Sequence, residues 1–242
     1  MGPELSLLVA GAAVAGFVQG LSGFAFGMVA MSFWVWGIEP RVAAVMAVFG
    51  SLTGQLVAVF SVRRAWRWSA LLPFLAGGAL GIPLGIAVLP HLNPDVFKLV
   101  LGSVLVVWCP VMLLSSRLPR VTRGGRLADG VVGAAGGFMG VMPTLWCTLR
   151  GMEKDAQRAI VQNFNLAALA FTMLGYVWAG TVTRDMWPLM PLVAVSLLVP
   201  SLLGARLYVG LSEAAFRRLV LALLGLSGLA MLVSAVPRLL SA

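Results

Sequence analysis

Charge is what this chain has least of. Of its 242 residues only 10% are Asp, Glu, Lys or Arg, while 60% are hydrophobic, and the mean hydropathy is +1.00. A soluble domain carries roughly 25% charged residues, so there is too little polar sequence to clothe a water-soluble surface. The chain reads as membrane-integral. Carboxylates are scarcer still: Glu4, Glu39, Asp95, Asp129, Glu153, Asp155, Asp185 and Glu213 all fall at or near the ends of apolar runs. Without a mid-span Asp or Glu, a cation pathway and membrane-embedded acid–base catalysis both lose their usual residue. An anionic or neutral substrate fits better. The single histidine, His91, ends an apolar run and leaves no cluster with metal-ligand spacing and no mid-span Ser–His pair. Cys109 and Cys147 lie inside apolar runs and read as packing residues. No catalytic residue, metal or cofactor is expected, and the protein is not read as an enzyme.

What is present is apolar sequence in blocks. A bilayer core of about 30 Å takes about 20 helical residues, and runs of that order cover 5–36, 41–62, 68–90, 95–115, 127–149, 156–180, 186–208 and 213–236. They form two groups of four, 1–116 and 127–242, on either side of the basic linker 117–126. The groups share a layout. Gly37-Ile38-Glu39-Pro40 corresponds to Gly151-Met152-Glu153-Lys154, and Leu92-Asn93-Pro94-Asp95-Val96-Phe97-Lys98 to Leu211-Ser212-Glu213-Ala214-Ala215-Phe216-Arg217. Internal repeats in an apolar chain are how many secondary transporters are built.

The first run is too long for one crossing. Its 32 residues would make a helix of ~48 Å, and Gly16, Gly20, Gly23 and Gly27 interrupt it. A segment that turns back at membrane depth accounts for both facts, provided protein or a wet cavity surrounds it. Charge tests the idea. With eight simple crossings Lys and Arg divide 9 to 8 between the two sides. With re-entrant first and fifth segments they divide 13 to 4, and only Arg41, Lys98, Arg184 and Arg238 lie on the poor side. The second split is what the positive-inside rule expects. The fold class expected is therefore an all-α polytopic membrane protein. It has two pseudo-symmetric, inverted four-segment repeats whose Gly-rich first segments are broken or re-entrant. The net charge of +9 then sets orientation and meets anionic lipid, with no nucleic-acid partner implied.

Polar residues inside these runs are the candidates for substrate contact. Gln19, Gly20, Ser22 and Gly23 interrupt the first run, and Pro143 and Thr144 mark the corresponding break in the second repeat. Such breaks bring helix ends and backbone N–H groups to membrane depth, where they suit an anion. Glycines at this spacing equally serve close helix packing, the reading preferred for Gly77, Gly81 and Gly85. Arg158, Gln162 and Asn165 share one helical face, with Ser51 and Gln55 a fainter pair in the matching segment. The alternative is that Arg158 snorkels to the interface while the amides bond neighbouring helices. Among the tryptophans, Trp66, Trp68 and Trp187 read as interfacial anchors, and Trp34, Trp36, Trp108, Trp146 and Trp178 as packing residues.

Three stretches carry a family resemblance: Gly16-Phe17-Val18-Gln19-Gly20-Leu21-Ser22-Gly23-Phe24-Ala25-Phe26-Gly27, Leu149 through Arg158 with Phe164 following, and Leu211 through Leu219. Together they resemble the TauE/SafE sulfite-exporter family over nearly the whole chain. The second Gly-rich loop, Gly136 through Pro143, is about seven residues shorter than the first, a departure from the family pattern. The resemblance implies a multi-pass transporter of the bacterial inner membrane that exports sulfite, an organosulfonate or another small anion. Alternating access between the repeats is the mechanism expected. A passive anion channel and a non-transporting membrane scaffold remain alternatives. The partners expected are the small anion and the lipid bilayer, with self-association into a homo-oligomer left open.

Overall fold

The computed structural model describes residues 2–34, 36–61, 68–88, 94–114, 125–138 and 142–240. Arg63, Arg64, Trp66, Arg67, His91, residues 117–124 and Gly140 lie outside them. The described residues form helices α1 (Pro3–Ser22), α2 (Phe26–Trp34), α3 (Pro40–Ser61), α4 (Trp68–Val88), α5 (Pro94–Leu114), α6 (Arg126–Phe138), α7 (Met142–Leu149), α8 (Lys154–Trp178), α9 (Leu189–Gly210) and α10 (Glu213–Leu240), with a 3-10 turn at Arg184–Met186. Each expected apolar run is helical, and the first and fifth each appear as two helices. Among the described residues five helices are long and apolar enough to cross a membrane: Glu4–Ser22, Pro40–Val59, Lys154–Trp178, Arg184–Gly210 and Glu213–Leu240. Pro3, Pro40 and Pro94 each open a helix, where a missing N–H costs nothing.

The helices fall into two compact units, and each draws on both halves of the sequence. One comprises residues 1–66 and 158–211, the other 67–157 and 212–242.

In the first unit α1 packs on α9 through small residues. A Cβ on Gly20 would overlap the Ser201 carbonyl, and one on Gly204 the Phe17 carbonyl. Gly16 faces Leu197 and Gly20 faces Ser201 and Ala205, so the partners advance together and the two helices run parallel. This backbone approach gives the van der Waals contact that joins helices in lipid, where no hydrophobic effect does so. Helix α2 turns back along α1: Trp34 at its end donates Nε1–H to the Leu8 carbonyl at 3.2 Å. Leu8, Ala12, Ala15, Phe26, Ala30, Trp34, Met46, Val193 and Leu197 share the core. Arg41, in the first turn of α3, donates to the carbonyls of Gly180 (3.0 Å) and Thr181 (3.2 Å). Trp36 is 83% exposed and Trp178 94% exposed, which corrects their assignment to packing. Each stands just past or at a helix end, where an amphipathic indole serves as an interfacial anchor.

In the second unit α4 packs on α6 in the same manner. Gly77 meets the backbone of Gly130 and Ala134, Gly81 that of Ala134, and Gly133 that of Phe74, again a parallel pair. The expected packing role of Gly77 and Gly81 is borne out. Helices α5 and α10 run antiparallel, because Gly102 meets Gly228 and Leu232 while Cys109 meets Gly225. The α6 and α7 arms are joined by Asp129, whose Oδ1 accepts from Trp146 Nε1 (2.9 Å) and Arg150 Nη1 (2.7 Å).

Candidate functional site

The tip where α1 ends and α2 begins gathers most of the polar residues named from the sequence. Gly23 ends α1 with φ +92°, a left-handed conformation that glycine adopts without Cβ strain. Three residues later, at Phe26, the chain re-enters a helix. The tip therefore joins the negative end of one helix dipole to the positive end of another.

The carbonyls at the end of α1 are taken up by side chains. Arg158 on α8 donates Nη2–H to the Gly20 carbonyl at 2.6 Å and Nη1–H to that of Leu21 at 3.2 Å. Its guanidinium lies 3.7 Å from the ring centroid of Tyr208 on α9. The residue is only 3% exposed. Ser22 Oγ donates to the Val18 carbonyl at 2.7 Å. Two glutamines form a reciprocal clamp between α1 and α3. Gln19 Nε2 donates to the Ser51 carbonyl and Gln55 Nε2 to the Gly23 carbonyl, both at 2.8 Å. Gln162, 1% exposed, lies over the turn: its Cγ and Nε2 would each be 3.3 Å from a Cβ on Gly23.

The donors at the tip come from the other side of the break. Because α1 stays helical through Ser22, the amides of Gly20, Leu21 and Ser22 are used within the helix, and the Gly23 amide bonds the Gln19 carbonyl at 2.7 Å. The sequence reading placed exposed amides at 20–23, whereas the structure presents carbonyls there. The first amide of α2 to find a helical carbonyl is that of Val29, bonded to Ala25 at 3.2 Å. The first-turn amides of Phe26, Gly27 and Met28 precede it, as in any helix N-terminus. Those of Phe24 and Ala25 reach Ser22 Oγ only at 3.4 Å, long for an N–H···O bond. Over Gly27 the nearest atom to a Cβ would be Ser51 Oγ, at 3.7 Å.

Gln19, Gly20, Ser22, Gly23, Ser51, Gln55, Arg158 and Gln162 thus converge on one turn. Asn165 is half-buried, about one helical turn further along α8 than Gln162. Pro143 and Thr144 lie buried in α7, in the other unit. Sequence reasoning missed Tyr208, although it is one of only two tyrosines and lies one helical turn past Gly204. It also missed Gln157, whose Nε2 donates to Thr148 Oγ1 at 2.9 Å.

The second unit holds a cavity of about 370 Å³ lined by residues that include Thr148, Glu153, Gln157, Glu213, Phe216 and Arg217. Glu213 Oε2 accepts from the Lys154 amide at 2.7 Å and so caps α8. The stretches 149–158 and 211–219 meet at this cavity. Among the described residues no group of three or more His, Cys, Asp and Glu could hold a metal ion.

Comparison with curated proteins and with solved structures gives no match. The family model for sulfite exporter TauE/SafE matches residues 8–231, nearly the whole chain, and the protein belongs to this family of multi-pass membrane transporters.

Proposed function

We propose that this protein exports a small oxyanion across the bacterial inner membrane by alternating access between inverted repeats, and that the anion binds where α2 begins. The observation that carries this reading is the helix break at Gly23, with the carbonyls behind it occupied by Arg158 and Gln55. What remains on offer is the positive end of α2, with Ser51 Oγ beside Gly27 and the Arg158 guanidinium within the same cluster. None of the described buried polar residues of this unit is acidic. The cavity at Glu153 and Glu213 suits an anion less well, since two carboxylates line it.

Two features support the inverted arrangement. Helices α5 and α10 hold equivalent places in the two repeats and run antiparallel, as an inversion requires. Eight single crossings would make them parallel. The Arg41 bonds to Gly180 and Thr181 likewise need the loops after the first and sixth apolar runs on one side of the membrane. Re-entrant first and fifth segments place them there, and single crossings do not.

Counterflow of sulfite in proteoliposomes tests the function, since exchange acceleration marks a carrier and a passive channel shows none. Arg158→Ala is expected to abolish anion-specific flux in protein that stays monodisperse. Ser51→Ala, which leaves the tip's carbonyl bonds in place, is expected to lower flux about ten-fold, of the order of one lost hydrogen bond to a charged group. Wild-type flux in both variants would sink the assignment of the site.

A further inference from the structure

Among the described residues of the first unit, the buried amide oxygens of Gln19 and Gln162 have no donor. They are not equivalent. Gln19 is held by its Nε2 bond to the Ser51 carbonyl, and its Oε1 lies against Gly54 on α3. Gln162 lies on the Gly23 turn itself, where its Cγ and Nε2 are the side-chain atoms nearest the glycine, three residues before the start of α2. A buried acceptor left without a donor costs about as much as a lost hydrogen bond. Water or a ligand bearing a proton restores that loss. A fully deprotonated oxyanion brings acceptors only, and its lone pairs would face the Gln162 oxygen.

We propose that Gln162 is a specificity residue that accepts a hydrogen bond from an O–H on the bound anion. The site then prefers singly protonated oxyanions, such as hydrogen sulfite or a monoanionic phosphonate, over sulfonates of the same charge. This rests on the anion site proposed above. The amides of α2 and Ser51 Oγ take the charged oxygens, and Gln162 reads the proton.

The test uses two tetrahedral monoanions of similar shape, of which only the first carries an O–H: methylphosphonate at mildly acidic pH and methanesulfonate. Binding to the purified full-length protein in detergent is measured by calorimetry. Wild type is expected to bind methylphosphonate about ten-fold or more tightly than methanesulfonate. Gln162→Leu is expected to bring the two within about two-fold by weakening methylphosphonate alone, and Gln162→Met serves if the branched side chain disturbs folding. Equal binding by wild type overturns the proposal while leaving the anion site standing, as does a preference that survives in both variants. Binding of neither anion overturns the site and the proposal together.

Discussion

At the scale of single residues, Arg158 shows how a charge is kept at the centre of an apolar unit. Its guanidinium is spread over two carbonyls and the face of Tyr208, so desolvation is met by a helix C-terminus and a ring quadrupole. Tyr208 is therefore a positioning residue. Tyr208→Leu removes the π-face and is expected to weaken anion binding several-fold, a part of the ~2 kcal/mol that a desolvated cation–π contact is worth. Tyr208→Phe should retain wild-type affinity, and titration calorimetry of the two variants separates ring from hydroxyl. Arg158 and Gln162 were legible in the sequence because a polar stripe in an apolar helix stands out at once. Tyr208 was not, because its partner lies fifty residues away and only the parallel α1–α9 contact brings it near the turn.

At the scale of elements, both broken segments use the same fastening. In each, a tryptophan on the return arm donates to the outgoing arm: Trp34 to the Leu8 carbonyl and Trp146 to the Asp129 carboxylate. The second fastening adds Arg150, which also lies 5.9 Å from the Trp146 ring centroid. Asp129 sits in the first turn of α6 and Arg150 just past the end of α7, so each charge also suits its helix dipole. Asp129→Ala leaves Arg150 without that carboxylate and is expected to cost about 3 kcal/mol, read as a fall in melting temperature in detergent. Adding Arg150→Gln to it should cost much less than the first change, and additive losses would argue against a coupled pair. The first break was visible in the sequence, since glycines crowded a run too long to cross once, and the second was inferred from its place in the repeat. Their polarity was not, because helical continuation through Ser22 decides whether amides or carbonyls face the turn, and glycine spacing is silent on that point.

At the scale of the whole molecule, the repeats of the sequence are not the units of the structure. Each unit takes helices from both halves, and the pairings α1 with α9 and α6 with α4 are counterparts under exchange of the repeats. Sequence similarity between the halves could locate the repeats but could not show which repeat's helices would pack together, since that depends on backbone approach at Gly20, Gly77 and Gly204. The charge split was the sequence's best statement about orientation. Single cysteines at Arg41, Arg184 and Arg217, introduced after Cys109 and Cys147 are replaced by Ala, test it with a membrane-impermeant thiol reagent on intact cells. Labelling of the first two positions and protection of the third is expected. Uniform labelling would remove the re-entrant topology.

The pairing of α1 with α9 also orders events during synthesis. The first helix to leave the ribosome ends at Ser22, yet Arg158, Ser201 and Tyr208, which complete its end, emerge far later. Until then its last carbonyls lack the Arg158 bonds and Gly20 lacks the backbone it was shaped to meet. A nascent chain cut short before α8 is thus left with the end of α1 lacking the partners that complete it.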